Sequence, residues 1–347
     1  MTQAAGAAPS RLRSESLLRR LFSRPEIGAL IGAILVFVIF SILAEKNGFL
    51  RPIGIAGWLQ LAAQIGILGA PVALLMIAGE FDLSLGSMIG LTSIFLAMMI
   101  SQYGLDPAVA VVLTFALALS LGAVNGFLVM RTRLPSFLIT LASMLVLRGV
   151  TIAMTREITG QTIVRLPPGA ADSPALRLFS APLFTIDRAV FRVELLWWVA
   201  VVAVGSWVLL RTRFGNWIFA VGGSAQAARY VGVPVSRVNI TLFMATAAAA
   251  ALYSCIVVPQ VGSANVNDGT GKEFQAIITA VVGGTLLTGG YGSVLGSAFG
   301  AFILGATSLG ILYAGINTDL YNAVMGLLLL TAVLVNTYVL RRASGAR

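Results

Sequence analysis

The sequence has no histidine and a single cysteine, Cys255, among 347 residues. That excludes a zinc-ligand cluster and any serine or cysteine hydrolase that relies on a histidine base. One cysteine also excludes an intrachain disulfide framework; lying in an apolar run, it reads as a small buried side chain. Charge is scarce, with 10% charged residues against 58% hydrophobic and a mean hydropathy of +0.94. That balance lies outside the range of soluble domains, so the chain reads as an all-α polytopic membrane protein. No Walker A pattern occurs, so no nucleotide site is visible and, if ATP is used, another chain binds it.

A helical crossing requires about 20 apolar residues, and cutting the chain at polar or Pro/Gly breaks gives ten spans. They run approximately over 27–44, 55–78, 84–101, 108–129, 136–154, 193–210, 238–258, 274–288, 293–314 and 319–339. The first has no small-residue cleavage site and is read as a retained span. The net charge of +10 would suggest nucleic acid in a soluble protein. Here the positive residues lie mostly between spans, which points to membrane lipid and away from nucleic acid. With the N-terminus in the cytoplasm, fourteen of the 23 Lys and Arg residues lie inside, as the positive-inside rule requires. Five are Arg11, Arg13, Arg19, Arg20 and Arg24 in the tail 1–26, and three are Arg341, Arg342 and Arg347 at the other end. The expectation is one transmembrane domain, 27–340, with both tails (1–26 and 341–347) cytoplasmic and a long outer loop over 155–192. Nine of the thirteen acids then face outward, including Glu194, Asp268 and Glu273, as a rim that could steer a basic partner.

The longest hydrophilic stretch on the inner side is 211–237. Within it Ser224 is a good N-cap, Ala225 to Val231 are helix formers, Gly232 supplies the C′ position and Pro234 stops continuation. About two helical turns are marginal alone in water, so this helix needs a surface to lie against. Lipid headgroups and a protein partner both meet that need. Gly223, Ser224, Ala227, Ala228, Arg229, Gly232 and Arg237 are the candidate docking residues.

Inside the spans, Gly79-Glu80-Phe81-Asp82-Leu83-Ser84 sets two acids at a membrane edge, where Asp82 or Ser84 can cap the next helix. Arg148 lies about 18 Å into its span and needs a polar cavity or a partner, for which Glu80 or Asp82 is expected. Asn125, Thr140 and Thr285 could line a polar path or bond neighbouring backbone. Gly86 and Gly90, and Gly292, Gly296 and Gly300, repeat every four residues and predict close helix packing. The match of Leu85-Gly86-Ser87 to Leu295-Gly296-Ser297 hints at an internal repeat.

Four motifs in order carry a resemblance: GEFDLSLGS at 79–87, NGFLVMRTRLPSFLITLASMLVLRGV at 125–150, GGSAQAARYVGVPVSRV at 222–238 and GTGKEFQAIITAVVGGTLLTGGYGSVLGSAFGA at 269–301. Together they resemble the membrane-spanning permeases of bacterial ABC importers of the ribose and related monosaccharide type. Glu80 and Phe81 stand where members often have Gly and Ile, and Ser224 where Asn is usual. The resemblance implies an inner-membrane subunit that is not itself an enzyme. It would pair with a second permease, identical or paralogous, with cytoplasmic ATPases that carry ATP and Mg, and with a periplasmic sugar-binding protein. It also implies that Ser224–Gly232 is a coupling helix seated on the ATPase. The rival from the residues alone is an ion-coupled secondary transporter, which needs a titratable site near the midplane. An intramembrane enzyme lacks a nucleophile with a base.

Overall fold

The structure, a computed structural model, describes residues 25–45 and 47–344, with side chains for 26–45 and 47–336. The five N-terminal arginines, the side chains of Arg341 and Arg342, and Arg347 lie outside these descriptions. Thirteen α-helices follow in order: α1 (Pro25–Leu43), α2 (Pro52–Ile77), α3 (Leu85–Ser101), α4 (Pro107–Thr132), α5 (Ser136–Thr159), α6 (Pro174–Ser180), α7 (Glu194–Arg211), α8 (Arg213–Gly223), α9 (Ala225–Tyr230), α10 (Val235–Val261), α11 (Lys272–Val282), α12 (Val294–Tyr313) and α13 (Tyr321–Ser344). Among the described residues, eight helical segments are long and apolar enough to cross a membrane: α1, α2, α4, α5, α7, α10, α12 and the one ending in α13.

The central helix is α2, which packs on α12, α7, α11 and α10 and is buried along most of its length. Small residues let its neighbours come close, because lipid supplies no force that would squeeze bulky faces together. Gly305 of α12 faces Ala62 and the Trp58 carbonyl, where a Cβ would come within 2.7 Å. On α4, a Cβ at Gly126 would meet the Ile240 Cα of α10 at 2.7 Å. The outer helices α1, α4, α5, α7 and α13 bury little and present apolar side chains outward, as lipid-facing helices do. Cys255 is free and fully buried.

Two of the ten predicted spans differ from simple crossings. Helix α3 has 17 residues, about 26 Å at 1.5 Å per residue. The eighth is cut shorter: α11 has 11 residues and ends at Gly283. Gly284, Gly289 and Gly290 take positive φ of 91°, 79° and 76°, a conformation that ends a helix and that glycine adopts without Cβ strain. The Gly290 N–H donates to the Ile77 carbonyl at the end of α2 over 2.8 Å, which holds this non-helical chain against the bundle. Neither α3 nor α11 is therefore among the eight segments long and apolar enough to cross as unbroken helix. Irregular backbone at membrane depth is tolerated where protein covers it.

Residues 160–193 form an ordered cap. Strand β1 (Ile163–Arg165) pairs antiparallel with β4 (Ser263–Asn265), and β2 (Pro182–Ile186) with β3 (Ala189–Arg192). Ser173 caps α6, with Pro174 at its first position.

Candidate functional site

Five of the residues expected along a path come together, as a buried polar knot. The segment 78–84 does not simply turn at the membrane edge. Asp82 accepts from the Thr246 hydroxyl at 2.7 Å, eleven residues and about 16 Å along α10 from its start. The knot therefore lies well inside the bundle. The other Asp82 oxygen takes the Ser84 N–H at 2.9 Å and the Ser84 hydroxyl at 2.6 Å, fixing the start of α3. Asn125 of α4 donates to the Ser84 hydroxyl at 2.9 Å. Thr140 of α5 accepts the Leu83 N–H at 3.0 Å, and Ser136 accepts that of Phe81 at 2.9 Å. Asn239 of α10 donates to Glu80 at 3.1 Å. Ser136, Asn239 and Thr246 were not singled out from sequence; each bonds to a residue at least 55 positions away.

A second break descends from the opposite end. A Cβ on Gly90 would meet the Val266 carbonyl oxygen at 2.8 Å, and one on Gly86 would collide with the Glu273 carboxylate and come 2.5 Å from the Gly269 carbonyl oxygen. The start of α11 thus abuts the start of α3. Glu273, expected on the outer rim, is instead buried, at 3% exposure. Its electrostatic neighbour is Arg148. This corrects the expected pairing of Arg148: Glu80 and Asp82 are engaged elsewhere, and the acid that senses Arg148 is Glu273. Glu194 leaves the rim too; fully buried, it accepts from Gln64 of α2 at 3.2 Å and Gln260 of α10 at 3.1 Å. Asp268 lies in the loop between α10 and α11, where partial burial raises its pKa and the hydrogen bond from the Asn265 N–H opposes the rise.

The other end of α11 is held by α12. A Cβ on Gly296 would collide with the Gly283 carbonyl oxygen, and one on Gly300 with that of Thr279. Gly292 is not part of this helical stripe, because α12 begins at Val294 with Ser293 as its cap. Thr285 is buried in the turn after α11, against Gly292, with no hydrogen-bond partner for its hydroxyl among the described residues.

The hydrophilic stretch contains two helices where one was expected. Helix α8 starts on a Thr212 cap, whose hydroxyl accepts the Gly215 N–H at 3.2 Å, and buries Ile218 and Val221. Helix α9 follows, with Ser224 accepting the Ala227 N–H at 3.2 Å and Gly232 at φ +84° beyond its end. Ala228 faces inward, with the apolar cluster of Val235 and Val238. Ala227 and Arg229 are exposed, and Tyr230 and Val231 stand 81% and 79% exposed. Arg237 sits apart from α9, on the first turn of α10. Between α8 and α9 lies a junction that sequence reasoning missed. Gly222 abuts the Ile77 carbonyl of α2 and the Gly290 nitrogen, Gly289 packs on Gly79, and Gly290 on Gly223. The base of α9, the end of α2 and the chain after α11 cross there with no side chain between them.

Residues 54–333 match the family described as branched-chain amino acid transport system, permease component. The ribose import permease protein RbsC of Escherichia coli is 31% identical over 322 residues, covering 92% of this chain and 96% of its own. The fructose import permease protein FrcC of Rhizobium meliloti is 29% identical over 330 residues, covering 95% and 90%. The xylose transport system permease protein XylH of Escherichia coli is 28% identical over 366 aligned positions, covering 92% and 93%. No solved structure matches the chain. The family description names amino acids whereas these relatives are named for sugars. With a match over most of its length and crossing helices throughout, the chain belongs to the sugar ABC importer permease family: it is a multi-pass inner-membrane transport subunit, not an enzyme.

Proposed function

We propose that this chain forms one half of the path by which a monosaccharide, a pentose, hexose or related polyol, enters a bacterial cell, driven by ATP hydrolysed with Mg on a partner ATPase. The observation that carries the reading is α9. Ala228 turns toward the fold and anchors the helix, while Arg229, Tyr230 and Val231 are left uncovered. Aromatic and arginine side chains together are the usual anchors of a protein interface, so an ATPase groove suits this tip better than headgroups do. Glycine contacts at Gly222 and Gly223 then pass a push on α9 to α2 and to the chain after α11. The path lies on the side of α3 and α11 that faces α5 and α13. There Arg148 is half-buried, and Phe81, Leu91, Ile277 and Leu329 remain partly uncovered. A second permease, a copy or a paralogue, would close that side, and a periplasmic binding protein would deliver sugar to the outer cap. The N-terminus, both tails and the 211–237 stretch are cytoplasmic on this reading.

The test is capture of the ATPase encoded beside this gene by the permease in nanodiscs, comparing wild type with Arg229→Glu, followed by uptake of labelled ribose, xylose and fructose. Capture that weakens in the variant is expected. Failure of wild type to capture any ATPase, with uptake that follows a proton or sodium gradient, would overturn the reading in favour of a secondary transporter.

A further inference from the structure

Helices α7 and α10 do not close on each other. Between them runs a groove of about 870 Å³ with an almost wholly apolar wall. On α7 it is faced by Val201, Val204 and Val208, and on α10 by Ala245 and Ala248, residues too short to fill it. From Trp197 to Thr212 the groove follows sixteen residues of chain, about 22 Å at 1.5 Å per step. One end is shut by aromatic rings: Phe179 stacks on Trp197 at 5.3 Å, and the Trp197 indole donates to the Leu178 carbonyl at 3.1 Å. The other end is framed by positive charge. Arg211 and Arg213 flank the lining residue Thr212, and Arg237 lies one helical turn before the lining residue Thr241; all three are exposed.

We propose that this groove is a resident site for an anionic phospholipid of the cytoplasmic leaflet, with acyl chains along α7 and α10 and the headgroup phosphate on Arg211, Arg213 and Arg237. Three observations single out lipid. The trough is as long as an acyl chain and faces the bilayer side of the bundle, away from the α5 and α13 side assigned to the path. Its wall is apolar except for Thr212 and Thr241 at the charged end, too few polar groups for a sugar. Its charged end lies where headgroup phosphates meet basic side chains. The inference rests on the topology proposed above, in which that end is cytoplasmic. Lipid retention is measured without reference to sidedness, so the two readings fail separately.

The experiment is native mass spectrometry of the purified permease after a delipidating wash, titrated with phosphatidylglycerol and, separately, phosphatidylcholine. Wild type is expected to keep one phosphatidylglycerol per chain and to prefer it over phosphatidylcholine. Ala248→Phe, which fills the trough, is expected to lose the retained lipid of either kind. The double variant Arg211→Gln/Arg213→Gln leaves the packing untouched. It is expected to lower the preference for phosphatidylglycerol by about fivefold per arginine, the usual worth of a basic residue near an anionic surface. Retention unchanged in Ala248→Phe, or a preference unchanged in the double variant, would overturn the proposal. So would efficient disulfide cross-linking between two chains carrying Val204→Cys, which would make a second copy the occupant.

Discussion

Replacing Gly222 by alanine tests the junction where α8 and α9 meet the rest of the bundle. The new Cβ would collide with the Ile77 carbonyl oxygen and lie 2.5 Å from the Gly290 nitrogen. Those two atoms are themselves hydrogen-bonded at 2.8 Å, so three backbone segments must part to admit one methyl group. Overpacking against atoms that cannot rotate away costs about 1–3 kcal/mol, and a buried backbone pair forced apart costs about 1–3 kcal/mol more. A total of roughly 2–6 kcal/mol shifts the junction toward an open state by about 30- to 20,000-fold, at 1.4 kcal/mol per tenfold. Gly223, one residue on, is the internal control: a Cβ there meets nothing within 4 Å, and alanine should change stability by less than about 0.5 kcal/mol. Each variant would be reconstituted with its ATPase and sugar-binding protein, and sugar uptake measured per ATP hydrolysed. Gly222→Ala is expected to retain ATPase capture and lose most uptake per ATP, while Gly223→Ala transports as wild type does. Equal behaviour of the two variants would refute the transmission argument. Loss of ATPase capture in Gly222→Ala would place the damage in the folding of α8 and α9 instead.

Tyr230→Asp should leave the bundle's thermal midpoint unchanged, because the side chain touches little of its own fold. It should weaken ATPase capture about 30-fold, the effect of losing a 2 kcal/mol interface anchor; unchanged capture would remove α9 from the interface. Asp82→Asn should lower the thermal midpoint in detergent, since a carboxylate taking three donors cannot be replaced without leaving a buried donor unmatched, at about 1–3 kcal/mol. An equally stable Asp82→Asn protein would mean that the knot is not structural. Arg148→Glu should abolish sugar uptake, and adding Glu273→Arg should restore part of it where adding Glu80→Arg restores none. Rescue by the Glu80 exchange alone would return Arg148 to the partner expected from sequence.

What was legible in the sequence is what local chemistry decides. Ser224 and Gly232 bracket α9 because capping and a left-handed residue act within a few positions. Helix α8 was equally local and was passed over: Thr212 followed by Phe214, Ile218 and Val221 gives a cap and an apolar stripe at helical spacing. The truncation of α11 was also visible, in the glycine pairs at 283–284 and 289–290, but counting apolar length hid it. The polar knot was half legible. Glu80, Asp82, Ser84, Asn125 and Thr140 stood out as costly in an apolar setting, yet nothing in the spacing says that Asn239 and Thr246 complete them. Arg148 shows the same limit: hydropathy gives its depth along α5, while rotation about the axis, which chooses between Asp82 and Glu273, comes only from packing.

The glycine stripes carry a mechanical consequence that their individual packing roles do not. Helix α11 is 11 residues long, with non-helical chain before Lys272 and after Val282. It is therefore a rigid rod between two joints. At its first joint it meets Gly86 and Gly90 of α3, and at its second Gly296 and Gly300 of α12. The two stripes belong to the two stretches whose sequences match, each opening a helix just after a serine. At these two joints backbone rests on bare glycine with no interlocking side chains to repack, whereas Ala276, Ile278, Ala280 and Val281 tie the middle of the rod into the apolar core. The chain leaving the second joint reaches Gly289 and Gly290, which touch Gly79, Gly222 and Gly223. Displacement of α9 thus has a continuous backbone route to α11, and α11 carries Glu273, whose charge lies within electrostatic reach of Arg148. If α9 is the coupling helix proposed above, its displacement is expected to change the separation of Glu273 and Arg148, and a distance probe on that pair that stays fixed during turnover would refute the route.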